Sequence, residues 1–124
     1  MACLSFVQLG NNTINVSGSR HHRNVVDQYA RKEDGTPYNL SPFIMPFDAT
    51  LVTITAATRE NATWKAQVRS NGIAVNGAEL QLNATKSGLI DINIQFFKNQ
   101  SVEIYLESNG IPYPSVNLIF QQNI

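Results

Sequence analysis

Three stretches in the last third of the chain alternate apolar and polar residues with a period of two. They are Ile90, Ile92, Ile94 and Phe96; then Val102, Ile104 and Leu106; then Val116, Leu118 and Phe120. A period of two sends every second side chain to the same face of an extended strand. Short polar segments separate the three runs. Together they describe antiparallel strands with one buried face and one solvated face. A helix cannot bury such a pattern, because its apolar stripe needs a spacing near 3.6.

The same reading extends upstream. Residues 51–57 form a strand rich in Thr, Val and Ile, and Trp64, Ala66 and Val68 alternate with Lys65, Gln67 and Arg69. Trp64 is expected in the core. Asn71-Gly72 is the turn pair that a tight hairpin requires, since both central residues of a type I′ turn need positive φ. Asn76-Gly77 is read as a second turn, between a strand at 73–75 and a short one at 79–82. Pro42 and Pro46 bracket an irregular or edge segment, because proline gives no ladder donor. Seven or eight short strands with turns every 8–12 residues predict an antiparallel β-sandwich of jelly-roll type.

A chain of 124 residues is one domain long and can bury roughly two thirds of its unfolded surface. Apolar residues at 43% support a real core, while charged residues reach only 15%. The polar surface is built from Asn, Gln, Ser and Thr instead, with Asn occurring fourteen times. The formal net charge is zero, which argues against nucleic acid or an anionic membrane as partner. A neutral, amide-rich surface suits packing against copies of itself or a larger assembly. The single cysteine, Cys3, permits no internal disulfide. No apolar run approaches the ~18 residues of a membrane span. The N-terminus has no basic segment followed by a long apolar one, so no secretory signal is expected.

Residues 1–40 read differently from residues 41–124, and the two are expected to be an N-terminal arm with a charged connector and a sandwich domain. Residues 1–19 carry no charged side chain; Leu4, Phe6 and Val7 suggest a short strand, and Ile14 and Val16 another. Residues 20–34 hold seven of the eighteen formal charges and both histidines. Their expected form is a solvated polar loop, with 24–31 either a helical turn or an extended arm.

The constellations that carry chemistry are weak. His21 and His22 are adjacent, so they point to opposite faces of a strand or diverge by about 100° on a helix; with Asp27 they make no metal site. No Gly-x-Ser-x-Gly elbow and no glycine-rich phosphate loop occur. Asp91 and Glu103 alternate out of phase with the apolar residues beside them, and both are read as solubilising groups on the wet face. The basic residues Arg20, Arg23, Arg31 and Lys32 are balanced by Asp27, Glu33 and Asp34 and lack interleaved aromatics apart from Tyr29. That mixed cluster reads as an assembly contact. The six Asn-x-Ser/Thr triplets are ascribed to composition. Tyr113, between Pro112 and Pro114, is a candidate exposed contact on a stiff loop. No catalytic, cofactor or metal-binding residue is assigned, and no enzymatic activity is expected.

From about Asn24 onward the chain resembles a family of small structural proteins of tailed bacteriophages. The resemblance lies in Asn24-Val25-Val26-Asp27-Gln28-Tyr29, Gly35-Thr36-Pro37, Leu40-Ser41-Pro42-Phe43 and Pro46-Phe47-Asp48-Ala49-Thr50-Leu51. It continues in Val68-Arg69-Ser70-Asn71-Gly72, Val102-Glu103-Ile104-Tyr105-Leu106 and Gly110-Ile111-Pro112. Gln100-Ser101 stands where related domains often carry Gly-Asp. The resemblance implies a jelly-roll or sandwich module, usually trimeric, that decorates a capsid, forms a head fibre or caps a tail appendage. The expected location is then the virion, after synthesis in the host cytoplasm. The expected partners are further copies of the chain and the major capsid or tail protein of the particle. Attachment is expected through the arm, with Leu4, Phe6, Val7, Arg20, Arg23, Tyr29 and Arg31 as assembly contacts. The alternative is a tail-fibre or tail-tip module that binds host surface polysaccharide, with Tyr113 in the binding loop.

Overall fold

A computed structural model describes residues 4–9, 16–17, 20–24, 30–32, 43–107, 110–111 and 115–123, with side chains for 43–107 and 115–123. Among the described residues there is no helix. The strands are β1 (Leu4–Leu9), β2 (Val16–Ser17), β3 (Arg20–Asn24), β4 (Ala30–Lys32) and β5 (Phe43–Ile44). They continue as β6 (Ala49–Ser70), β7 (Ile73–Phe96), β8 (Ser101–Glu107), β9 (Gly110–Ile111) and β10 (Ser115–Gln122). Eight of them form one antiparallel sheet in the order β1-β10-β6-β8-β3-β4, with β7 added on β6 and β5 on β8; β2 and β9 pair separately.

The long hairpin of β6 and β7 organises the sheet. It closes on Asn71 and Gly72, whose φ values of 52° and 77° fit the type I′ turn expected for Asn-Gly. β7 follows the whole of β6, but the other neighbour of β6 changes along its length. Residues Ala49–Ala57 pair with β10, and Lys65–Arg69 pair with β8. Between them lies a corner. Ala57 faces Ser87 and Ala62 faces Thr85, five steps along β6 against two along β7. The surplus residues bend β6, and Thr58 Oγ1 donates to the Glu60 carbonyl at 2.6 Å inside the bend. Ala84 answers on the other strand, at φ 50°, and its N–H donates to Thr63 Oγ1 at 2.9 Å.

The corner gives the sheet two wings that share one apolar core. Leu51, Ile54, Ala56, Val116, Leu118, Phe120 and Phe96 come from the β10 wing. Trp64, Ala66, Val68, Leu80, Leu82, Val102, Ile104 and Leu106 come from the β8 wing. Phe96 and Phe120 meet edge to face, with centroids 5.4 Å apart and rings at 88°. Leu51 and Ile54 are both fully buried though three residues apart, which strict alternation forbids. The register slips between Leu51 and Thr53 against both neighbours, and the slip returns Ile54 to the inner face.

Several expectations need correction. The alternating runs at 90–96, 102–106 and 116–120 do face the core, but the strands before them are not short: β6 and β7 have 22 and 24 residues. A bulged strand can turn a corner without ending. Asn76-Gly77 is accordingly a bulge inside β7 and not a turn; Gly77 takes φ 83° there. Residues 20–24 and 30–32 are strands rather than a solvated loop. Glu103 is not on a wet face: it is 3% exposed. β6 and β3 flank the edges of β8, and both of its faces are covered: Ser101, Glu103 and Tyr105 are buried along with Val102, Ile104 and Leu106. The stretch expected to be a free arm contributes β1, which pairs with β10 over six residues of unbroken register. β3 pairs with β8 and β4 with β3.

Candidate functional site

The densest polar arrangement among the described residues surrounds the tip of the long hairpin. The Asn71 N–H donates to Ser101 Oγ at 2.8 Å, and the Ser101 hydroxyl donates back to Asn71 Oδ1 at 3.0 Å. The Gly72 N–H donates to Glu103 Oε1 at 2.8 Å. Ser70 Oγ lies 3.4 Å from Ser101 Oγ. One step back, the Arg69 guanidinium stacks on Tyr105, 3.6 Å from the ring centroid, while its Nε donates to Gln67 Oε1 at 3.0 Å. These contacts follow from register, since Arg69 faces Glu103 and Gln67 faces Tyr105. The turn's amides have no ladder partners, so side chains from β8 satisfy them. The Ser101 hydroxyl and one Glu103 oxygen are committed to holding backbone.

The outer faces of the two wings differ in chemistry. On the β8 wing the outward rows are Glu107–Lys65–Gln81, Tyr105–Gln67–Glu79 and Glu103–Arg69–Ala74. Lys65 Nζ lies 3.4 Å from Glu79 and 4.0 Å from Glu107. The register extends these rows into β3, where Arg20 faces Glu107, His22 faces Tyr105 and Asn24 faces Glu103. On the β10 wing the outward rows are Asn117–Thr55–Leu89, Ile119–Thr53–Asp91 and Gln121–Thr50–Gln95. Asp91 is the one ionisable side chain in those three rows. The rest are amides and hydroxyls, apart from the apolar Ile119 and Leu89. Asn117 Nδ2 donates to Thr55 Oγ1 at 3.2 Å, and Thr53 Oγ1 donates to Asp91 Oδ1 at 3.0 Å. Asn123 accepts from Thr50 Oγ1 at 3.1 Å and donates to Gln95 Oε1 at 2.8 Å. Leu89 stands exposed among them.

The candidate contact residues distribute over both wings. Leu4, Phe6 and Val7 lie in β1, opposite Gln121, Ile119 and Leu118. Arg20 and Arg23 lie in β3, opposite Glu107 and Ile104, and Arg31 lies in β4, opposite His22. The sheet thus brings Arg20, Arg23 and Arg31 to neighbouring strands at one end of the strand order and β1 to the other. Tyr29 and Tyr113 lie outside the described residues. Trp64 is buried as expected, 1% exposed, with no acceptor for its indole N–H among the described residues. No group of three His, Cys, Asp or Glu suited to a metal ion occurs among the described residues, nor any helix long and apolar enough to cross a membrane.

Sequence reasoning missed Ser101 and Glu103. Their signal was present but unread: an Asn-Gly turn exposes two N–H groups, and a hairpin tip packed on a neighbouring strand needs acceptors there. No protein-family model matches the chain, and no curated protein matches it.

Proposed function

We propose that this chain is a non-enzymatic structural component of a bacteriophage virion, a capsid decoration or head-fibre protein that acts as a homotrimer. On this reading the two wings are the layers of a jelly-roll-type sandwich. The observation that carries the proposal is the β10 wing's outer face. It is a lattice of Thr, Asn and Gln with one carboxylate, Ile119 and an exposed leucine. Such a face lacks the charge that keeps protein surfaces apart, and its paired amides and hydroxyls are fixed before any contact forms. The phage resemblance of the turn and strand-edge segments supports the assignment to a particle.

Anchoring runs through residues 1–19. β1 is uncharged and terminates the sheet. Exchange of β1 between neighbouring copies keeps the same pairing with β10 and links subunits through backbone hydrogen bonds. Native mass spectrometry of the full chain and of a chain lacking residues 1–19 tests this. The full chain should be a trimer and the truncated one a monomer that retains its β spectrum. A full-length chain that stays monomeric at micromolar concentration, or a truncated one that still trimerises, overturns the proposal.

The amide lattice also favours a second reading, a tail-tip module that binds host polysaccharide. Glycan-array binding by the isolated trimer, weakened by Thr53→Val and Asn117→Leu, would select this reading over shell decoration.

A further inference from the structure

The sequence repeats one reactive dipeptide, and the structure treats two of its copies in opposite ways. Asn71-Gly72 and Asn76-Gly77 are five residues apart on the same hairpin. Asparagine followed by glycine is prone to ring closure, because glycine leaves the attacking nitrogen unhindered. The Gly nitrogen attacks the Asn Cγ, the new N–Cγ bond forms, the Cγ–Nδ2 bond breaks and ammonia leaves with the amide proton. Water then opens the succinimide to aspartate or isoaspartate. No oxidant, metal or enzyme is required.

At Asn71 every participant is held. The Gly72 N–H is engaged by Glu103 Oε1, the Asn71 side-chain oxygen accepts from Ser101, and the Asn71 N–H is bound to the same hydroxyl. Asn71 and Gly72 are exposed, but the Glu103 and Ser101 ends of these bonds are buried, which fixes the partners in place. Asn71 also sits in the left-handed region, and ring closure requires a backbone torsion outside that well. Asn76 is placed differently. The register passes from Gln67–Glu79 to Arg69–Ala74, five steps along β7 against two along β6, so Asn76 lies in the surplus of a bulge. It is exposed, its φ is not positive, and its side chain makes no hydrogen bond among the described residues. Gly77, at φ 83°, supplies local freedom.

We propose that Asn76 is a site of spontaneous succinimide formation and deamidation, and that the Ser101–Glu103 lock protects Asn71 from the same reaction. Each conversion adds one negative charge to a chain whose formal net charge is zero, so the product separates by isoelectric focusing.

The test uses the intact protein aged in mildly alkaline buffer, with fragment-ion mapping of aspartate and isoaspartate. In the folded state Asn76 should convert at least about tenfold faster than Asn71, equivalent to about 1.4 kcal/mol between the two barriers. In concentrated urea the two rates should converge, because both asparagines then precede an unrestrained glycine. Glu103→Ala should accelerate Asn71 and leave Asn76 unchanged. If that variant does not fold, the folded-against-urea comparison on the wild-type chain decides alone. Equal folded-state rates, a faster Asn71, or a rate ratio unchanged by urea overturns the proposal.

Discussion

The amide of Gly72 donates to the buried carboxylate of Glu103 at 2.8 Å and so ties the tip of a long hairpin to the strand beside it. The residues are thirty-one apart in sequence. Two bonds between Asn71 and Ser101 tie the same tip to the same strand.

Glu103→Ala removes a charged acceptor from a covered site. A hydrogen bond to a charged group contributes about 1.5–3 kcal/mol, and a loss of that order is expected from urea unfolding. Glu103→Gln keeps an acceptor of similar shape and should lose less. Equal losses for the two variants would show that neither the side chain's volume nor a neutral acceptor contributes, and that the carboxylate charge carries the effect.

Glycine substitutions should separate by backbone geometry. A Cβ at Gly72 meets nothing within 4 Å, yet φ is 77°. Gly72→Ala therefore costs only the left-handed penalty, about 1–2 kcal/mol. Gly88 has no positive φ, and a Cβ there would touch Leu82 at 3.4 Å, an ordinary contact. Gly88→Ala is expected to be neutral or to gain about 0.4–1 kcal/mol by restricting the unfolded chain. Thermal melts of the two variants should move in opposite directions or differ by several degrees.

Phe120 lies in the shared core against Phe96. Phe120→Ala should destabilise by about 3–5 kcal/mol through lost burial and the cavity left behind. Phe97, one residue beyond Phe96, is 59% exposed, and Phe97→Ser should change stability by no more than about 0.5 kcal/mol. Chemical denaturation of both variants checks the contrast.

Trp64 is the chain's one tryptophan, and its burial predicts a blue-shifted emission that resists aqueous quenchers and moves red on unfolding. Its indole N–H has no acceptor among the described residues. Trp64→Phe removes that unsatisfied donor along with some volume, so its net loss should stay below about 1.5 kcal/mol, against about 3–5 kcal/mol for Trp64→Ala. A larger loss for phenylalanine would mean that the N–H is satisfied in solution.

Lys65 sits between Glu79 and Glu107, with all three side chains partly exposed. Lys65→Met should cost less than about 1 kcal/mol, and the difference from wild type should shrink in high salt as the charges are screened. A salt-independent loss would point to packing of the lysine stem.

The alternating runs at Ile90–Phe96, Val102–Leu106 and Val116–Phe120, and the Asn71-Gly72 hairpin, were legible from residue order alone. Both are local: side-chain direction follows from the period of two, and the turn from positive φ at two small residues. The corner at 58–61, the bulge at Gly77 and the slip that buries both Leu51 and Ile54 were not legible. They arise from unequal residue counts on paired strands, which no strand carries by itself. Glu103 was misread for the same reason. Alternation says which residues share a face, but whether the second face is wet depends on the neighbours. Both faces of β8 are covered in the folded chain, so its polar row is enclosed and Ser101 and Glu103 fix the hairpin tip.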